Sequence, residues 1–269
     1  MAHAPFDGTL TALVTPFRGG ELDEAAVRTL ALRQVEAGNG LVPCGTTGET
    51  PTLSEAEHLR VVELSVEAAA HRVPVVAGAG SHGTDHTIAL AERCAALGAT
   101  ALMLVCPYYN RPTQAGLEAH FRAVAEAVDL PVLLYNVLRA QAILAHLQGR
   151  EVPGGFQVFA GDDGLMLPVV AAGGAGVVSV TANRFPKAVA AAARAALDGR
   201  WDEARERHLR LLPVHEAMFL ESNPIPVKAL MHDAGLLAPE IRLPMTWAQP
   251  ATLAEMKARV AAAGLKDSQ

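Results

Sequence analysis

The sequence predicts an α/β barrel, a ring of parallel strands jacketed by helices and followed by a helical extension. Short runs rich in Val and Leu, with little apolar–polar alternation, take turns with amphipathic stretches of helical length, as parallel strands covered on both faces require. Gly–polar clusters follow nearly every run, whereas an open doubly wound sheet concentrates its site at one switch point. No G-x-G-x-x-G or G-x-x-x-x-G-K-[ST] loop follows any run, so nucleotide binding has no sequence support.

Taken in order, the candidate strands are 9–17, 40–47, 73–80, 101–107, 131–137, 156–163 and 176–183. Between them the 3.6-residue period predicts helices at 23–37, 54–70, 84–97, 114–128 and 186–197. Ser54 with Glu57 three residues on is a capping box. Gly38, Gly98 and Gly199 stand where helices should stop, because glycine enters the left-handed C-terminal turn at little cost. After 199 the strands cease, and helices at roughly 200–221, 224–236 and 251–263 follow. The expected division is therefore a barrel over 1–199 and a helical extension over 200–269. The strands number seven, one short of a (β/α)8 barrel. The connection 138–155 has room for one helix and a turn, against roughly 31 residues for a typical βα unit. Either the strand assignment is wrong, or one unit is absent, at the junction between Val137 and Leu138. Its loss should expose two parallel edges and leave part of the core unfilled.

Composition narrows the function. The 269 residues are 51% hydrophobic and carry a net charge of −6, which argues against the basic stripe of a nucleic-acid binder. No run approaches the ~18 apolar residues of a membrane span, and the opening MAHAPFDGTL lacks secretory-signal regions. Cys44, Cys94 and Cys106 have no metal-type spacing. They are expected to be reduced thiols, which suits a cytoplasmic protein.

Barrel chemistry sits at the C-terminal strand ends. Those ends carry Thr46-Thr47-Gly48-Glu49, Pro107-Tyr108-Tyr109-Asn110, Tyr135-Asn136, Gly161-Asp162-Asp163 and Thr181-Ala182-Asn183. Adjacent threonines before a glycine offer hydroxyls and N–H groups suited to a small carboxylate, although such a motif is also an ordinary turn. Tyrosines on two strand ends can pass a proton if a hydroxyl such as Thr46 bridges them, although Tyr-Tyr after an apolar run is also ordinary packing. Asp162-Asp163 reads more simply as a helix cap than as a metal ligand. The ten dispersed histidines read as surface or hydrogen-bonded residues.

The motifs T-A-L-V-T-P-F (11–17), G-T-T-G-E (45–49), P-Y-Y-N-R-P-T (107–113), L-Y-N-V (134–137), A-G-D-D (160–163), G-V-V-S-V-T-A-N (176–183) and N-P-I-P-V-K (223–228), with Ile241-Arg242-Leu243-Pro244-Met245, run nearly end to end. With them the chain resembles the dihydrodipicolinate synthase/N-acetylneuraminate lyase family of pyruvate-dependent aldolases, on its synthase branch.

The resemblance implies a lyase of (β/α)8 fold, metal-free and without cofactor. Pyruvate would join a lysine as a Schiff base, and its enamine would attack aspartate semialdehyde, a step of lysine and diaminopimelate biosynthesis. It implies Thr46 and Thr47 at the pyruvate carboxylate, Thr46 also as relay bridge, and Tyr135 as general acid/base. Tyr109 would complete the relay from a neighbouring subunit, making a dimer the minimum unit and a tetramer family-like. Gly161 and Val178 would flank the bound pyruvate. The family's lysine, however, has no counterpart. The chain has only Lys187, Lys228, Lys257 and Lys266. Lys187 reads as the solvent-facing start of a helix and Lys228 as structural. Arg139 does not match the family's substrate-binding arginine. The missing helix–strand unit and the missing lysine fall at the same junction. At the position of the family's lysine-effector site, Tyr108 and His58 match, but Glu55, His82 and His86 replace His, Asn and Glu, a charge balance unsuited to a cationic amino acid.

Overall fold

The computed structural model describes residues 6–135 and 157–266. The strands that build the ring are β1 (Gly8–Ala12), β4 (Gly40–Val42), β5 (Val76–Gly78), β6 (Ala101–Val105), β7 (Val132–Tyr135), β8 (Phe159–Ala160) and β9 (Gly176–Ser179). A small antiparallel hairpin, β2 (Phe17–Arg18) and β3 (Glu21–Leu22), follows β1. The helices are α1 (Glu24–Glu36), α2 (Glu55–Ala69), α3 (Thr84–Ala96), α4 (Gln114–Ala127), α5 (Met166–Ala171), α6 (Pro186–Leu197), α7 (Trp201–Ala217), α8 (Ile225–Asp233) and α9 (Pro250–Ala262).

All ring pairings are parallel. One sheet runs β8–β9–β1–β4 and a second β5–β6–β7, and a parallel bridge between Leu41 and Val75 joins them. The staves therefore follow one another in α/β-barrel order, with the first strand zipped to the last through Gly8–Thr11 and Gly176–Ser179. Among the described residues, β7 and β8 each have a single strand partner. The expected helix at 138–155 and the junction at Val137/Leu138 lie outside the described residues.

Alternation along the strands divides the core in two. Leu10, Ala12, Val42, Val76, Ala101, Met103 and Val178, with the partly buried Leu133, Tyr135 and Phe159, form one cluster inside the ring. Residues of opposite parity, such as Leu102, Leu104 and Val177, pack outward against the helices. Each of the seven staves contributes to the inner cluster, as a packed barrel interior requires.

The helix limits agree with the sequence expectation to within a few residues, and the strands are shorter than expected. The predicted strand 9–17 stops at Ala12, 40–47 stops at Val42, and 176–183 stops at Ser179. In each case the polar tail turns away. Thr46–Gly48 and Thr181–Asn183 are single 3-10 turns. Asn183 replaces ladder bonds there, accepting from Val14 N–H at 3.1 Å and donating to the Ala12 carbonyl at 2.7 Å. The hairpin and α5 were not predicted, because two-residue strands and a six-residue helix are too short to show a period. The Ser54–Glu57 capping box is present, and Gly38, Gly98 and Gly199 all take positive φ.

Candidate functional site

The segment after β4 is shaped by close backbone packing. The Cys44 carbonyl lies so near Gly78 that a Cβ there would come within 2.1 Å of it; only glycine lets the two strand ends approach this closely. Gly45 then rests against the Met103 methyl of the inner cluster. The chain turns through Thr46–Gly48 and leaves the turn at Glu49 in the left-handed conformation, φ 55°. Thr50 donates to the Cys44 and Gly45 carbonyls, and Thr15 to the Gly48 carbonyl at 2.8 Å. Thr46 is exposed and Thr47 is buried. The Thr47 hydroxyl accepts from Asn223 Nδ2 at 2.8 Å. Among the described residues, no acceptor engages the backbone N–H of Thr46 or Thr47. Two amide donors at a barrel mouth suit a carboxylate.

Tyr135 ends β7 and packs into the inner cluster that holds Met103 and Val178. Burial, then the negative charge of Asp162, pushes its phenol above the ordinary range, so at neutral pH it keeps its proton and can donate it. Gly161 follows β8 and is half-buried. The structure therefore brings Tyr135 and Val178 into one interior, with the Thr46–Thr47 turn resting on it through Gly45. Tyr109 stands apart. It is 98% exposed at φ 70°, beside Tyr108, whose ring meets His82 edge-on at 5.6 Å.

The aspartates split. Asp162 caps the turn at 163–165, accepting from Gly164 N–H at 2.8 Å. Asp163 accepts from the N–H groups of Val180 and Thr181 at 2.9 and 3.0 Å, tying the end of β8 to that of β9. Among the described residues no group of three or more His, Cys, Asp and Glu could hold a metal ion. His58 bonds the Gly78 carbonyl at 2.8 Å and His215 the Thr181 hydroxyl at 2.8 Å. His120 Nδ1 meets the Thr84 hydroxyl at 3.0 Å, while His120 Nε2 and His208 Nδ1 are buried and have no partner among the described residues.

None of the four lysines lies on a strand of the ring. Lys187 is exposed on the first turn of α6, Lys257 pairs with Asp233 on the surface, and Lys266 follows α9. Lys228 is fully buried, 2.5 Å from Glu49 Oε1 and 3.0 Å from the Thr15 carbonyl. Burial draws its pKa down, while Glu49 pulls it back up. This buried pair was not predicted. Its trace in the sequence is a lysine flanked by apolar residues in P-I-P-V-K and a glutamate closing G-T-T-G-E, charges that burial tolerates only when paired. Arg242 grips Glu57 of the capping box through two bonds, at 2.5 and 2.9 Å, and lies over Phe17 at 4.1 Å.

Comparison with known proteins follows these features. A protein named 4-hydroxy-tetrahydrodipicolinate synthase from Citrifermentans bemidjiense is 43% identical over 281 residues, taking in 94% of this chain and 97% of its own length. One of the same name from Hyphomonas neptunium is 45% identical over 290 residues, 97% and 99% of the two chains. The C. bemidjiense match spans 281 positions against 94% of 269 residues, leaving about 28 positions without a counterpart here, close to one βα unit. Among solved structures, 4-hydroxy-tetrahydrodipicolinate synthase from Methylacidiphilum fumariolicum SolV superposes with a TM-score of 0.89 at 36% identity, over 97% of this chain and 96% of that one. The chloride-inhibited dihydrodipicolinate synthase from Acinetobacter baumannii, complexed with pyruvate, reaches 0.91 at 33% identity over 97% and 99%. The profile of the dihydrodipicolinate synthetase family matches residues 5–148 and 144–263. By fold, by strand-end motifs and by sequence, this chain belongs to the dihydrodipicolinate synthetase family of α/β-barrel enzymes.

Proposed function

We propose that the barrel mouth receives pyruvate, and that the protein is a 4-hydroxy-tetrahydrodipicolinate synthase whose Schiff-base lysine lies on a βα unit missing from this sequence. In the complete enzyme that lysine condenses with the pyruvate carbonyl and releases water. The resulting enamine attacks the aldehyde of aspartate semialdehyde, and the amine of that substrate then adds to the imine carbon and displaces the lysine, which closes the ring on 4-hydroxy-tetrahydrodipicolinate with no second water lost. The N–H groups and hydroxyls of Thr46 and Thr47 hold the pyruvate carboxylate, with Gly161 and Val178 flanking it. Tyr135 moves protons at the carbonyl carbon, with Thr46 bridging to Tyr109 of a neighbouring subunit. Pairing of two subunits would cover a tyrosine that is 98% exposed in the single chain; a homotetramer of two such dimers and a cytoplasmic location belong to the same reading. The barrel over 1–199 would supply the site and the extension over 200–269 would brace it.

The observation that carries this reading is the turn at Thr46–Thr47, with two amides that meet no acceptor among the described residues, resting on the cluster that contains Tyr135. The intact mass of the expressed protein tests it. A value about 3 kDa above 28.2 kDa, one βα unit, together with a borohydride-trapped pyruvyl lysine, supports it. A mass of 28.2 kDa with retained pyruvate affinity and no adduct favours a second reading, an α-keto-acid-binding or regulatory homologue. That no described strand carries a lysine favours that alternative. A sialic-acid or keto-deoxy-sugar lyase would share the carboxylate cradle and differ in the aldehyde it accepts.

A further inference from the structure

Residues 223–242, distant in sequence from the barrel mouth, converge on the turn after β4. Glu49 leaves that turn in a left-handed conformation that costs a residue bearing a Cβ. The residue is 3% exposed, and its carboxylate is engaged on both oxygens. Oε1 accepts from Lys228 Nζ at 2.5 Å, and Oε2 accepts from the Arg242 backbone N–H at 3.2 Å. The Lys228 ammonium also donates to the Thr15 carbonyl and lies 4.7 Å from the centre of the Phe17 ring. Thr15 in turn donates to the Gly48 carbonyl, and Asn223 donates to the Thr47 hydroxyl. Thr47, Gly48 and Glu49 are thus held from three directions, while Thr46 faces out.

A buried ammonium is tolerable only while its carboxylate stays beside it. Any movement of the turn that carries Glu49 away leaves Lys228 charged and unpaired in an apolar surround, so the ion pair converts a flexible surface turn into a fixed one. We infer that Lys228 and Glu49 are positioning residues, whose ion pair holds the Thr46–Thr47 turn with its N–H groups open to a keto-acid carboxylate. This rests on the reading of that turn as the carboxylate cradle. It assigns to the C-terminal helices the work of preorganising a site that none of their side chains enters.

The test separates positioning from simple stabilisation. Replacing both partners together, E49Q/K228M, removes the buried charges and keeps the volumes, so stability should stay near the wild-type value. Two readouts follow on the full chain. In the ligand-free protein, hydrogen exchange across residues 44–52 should accelerate at least about tenfold while α6 stays unchanged. Titration with pyruvate should show affinity lower by at least about tenfold. E49Q alone, which keeps an acceptor for Lys228 and loses the one for the Arg242 N–H, serves as the second variant and should show both effects at about threefold. Unchanged exchange in this segment overturns the inference, and so does a loosened turn that binds pyruvate as tightly as before. A wild-type chain with no pyruvate affinity refutes the carboxylate reading, and the ligand-free exchange measurement then decides the clamp alone.

Discussion

Leu104 and Leu134 are partners in register on adjacent strands, with the same parity and the same outward direction. Leu104 is fully buried, and Leu134 is 51% exposed. The contrast extends to the strands around them. On the β9–β1–β4 side every strand residue is buried. Thr11 there donates to Gln34 of α1, and Gln34 donates to the Ala182 carbonyl beyond β9. On the β7–β8 side only Ala160 is buried. An identical residue in an identical strand position thus has two different environments: β6 has strand neighbours on both edges and β7, among the described residues, on one. Burial in a barrel belongs to the neighbourhood, and a strand cannot acquire it by being hydrophobic.

Four measurements can break or sharpen this comparison. The largest effect should come from inserting a relative's βα unit, about 28 residues, between β7 and β8; covering Leu134 and pairing both edges should raise Tm by about 10 °C. A thermal melt with no rise would mean that this side is already satisfied. On the complete side, K228M strands Glu49 and should cost about 3–5 kcal/mol in urea unfolding, most of it recovered in E49Q/K228M. Next is the pair of leucines. Leu104→Ala should cost about 2–5 kcal/mol and Leu134→Ala under about 1 kcal/mol, and equal losses would abolish the contrast. The last measurement concerns acid. The Arg242 guanidinium draws Glu57 from 4.5 down to about 2. The pair's contribution is therefore complete above about pH 4.5 and drains away as pH falls towards 2. R242A should flatten this acid limb of the stability curve and cost about 2 kcal/mol at pH 7.

The candidate site was legible as residue types at strand ends. Thr46-Thr47 and Tyr135 stood out there as polar groups after Val/Leu runs, where an ordinary turn or packing competes with a carboxylate cradle. The aspartates were legible only as a choice between cap and ligand, and coordinates were needed to show Asp162 capping and Asp163 joining β8 to β9. Glu49 and Lys228 were opaque, since nothing local reveals that two charges 179 residues apart share one buried space. Tyr109 lies on a strand-end loop as the sequence expected, and its 98% exposure was visible only in the structure.

Local periodicity and turn chemistry determined the order of the ring strands and helices among the described residues and the helix ends at Gly38, Gly98 and Gly199, because these depend on residues close together in the chain. Which strand end meets which, how a C-terminal lysine braces a turn near the N-terminus, and why Leu134 is exposed while Leu104 is buried were decided by tertiary structure alone. Burial and ion pairing are properties of neighbours in space, and a linear pattern does not encode them.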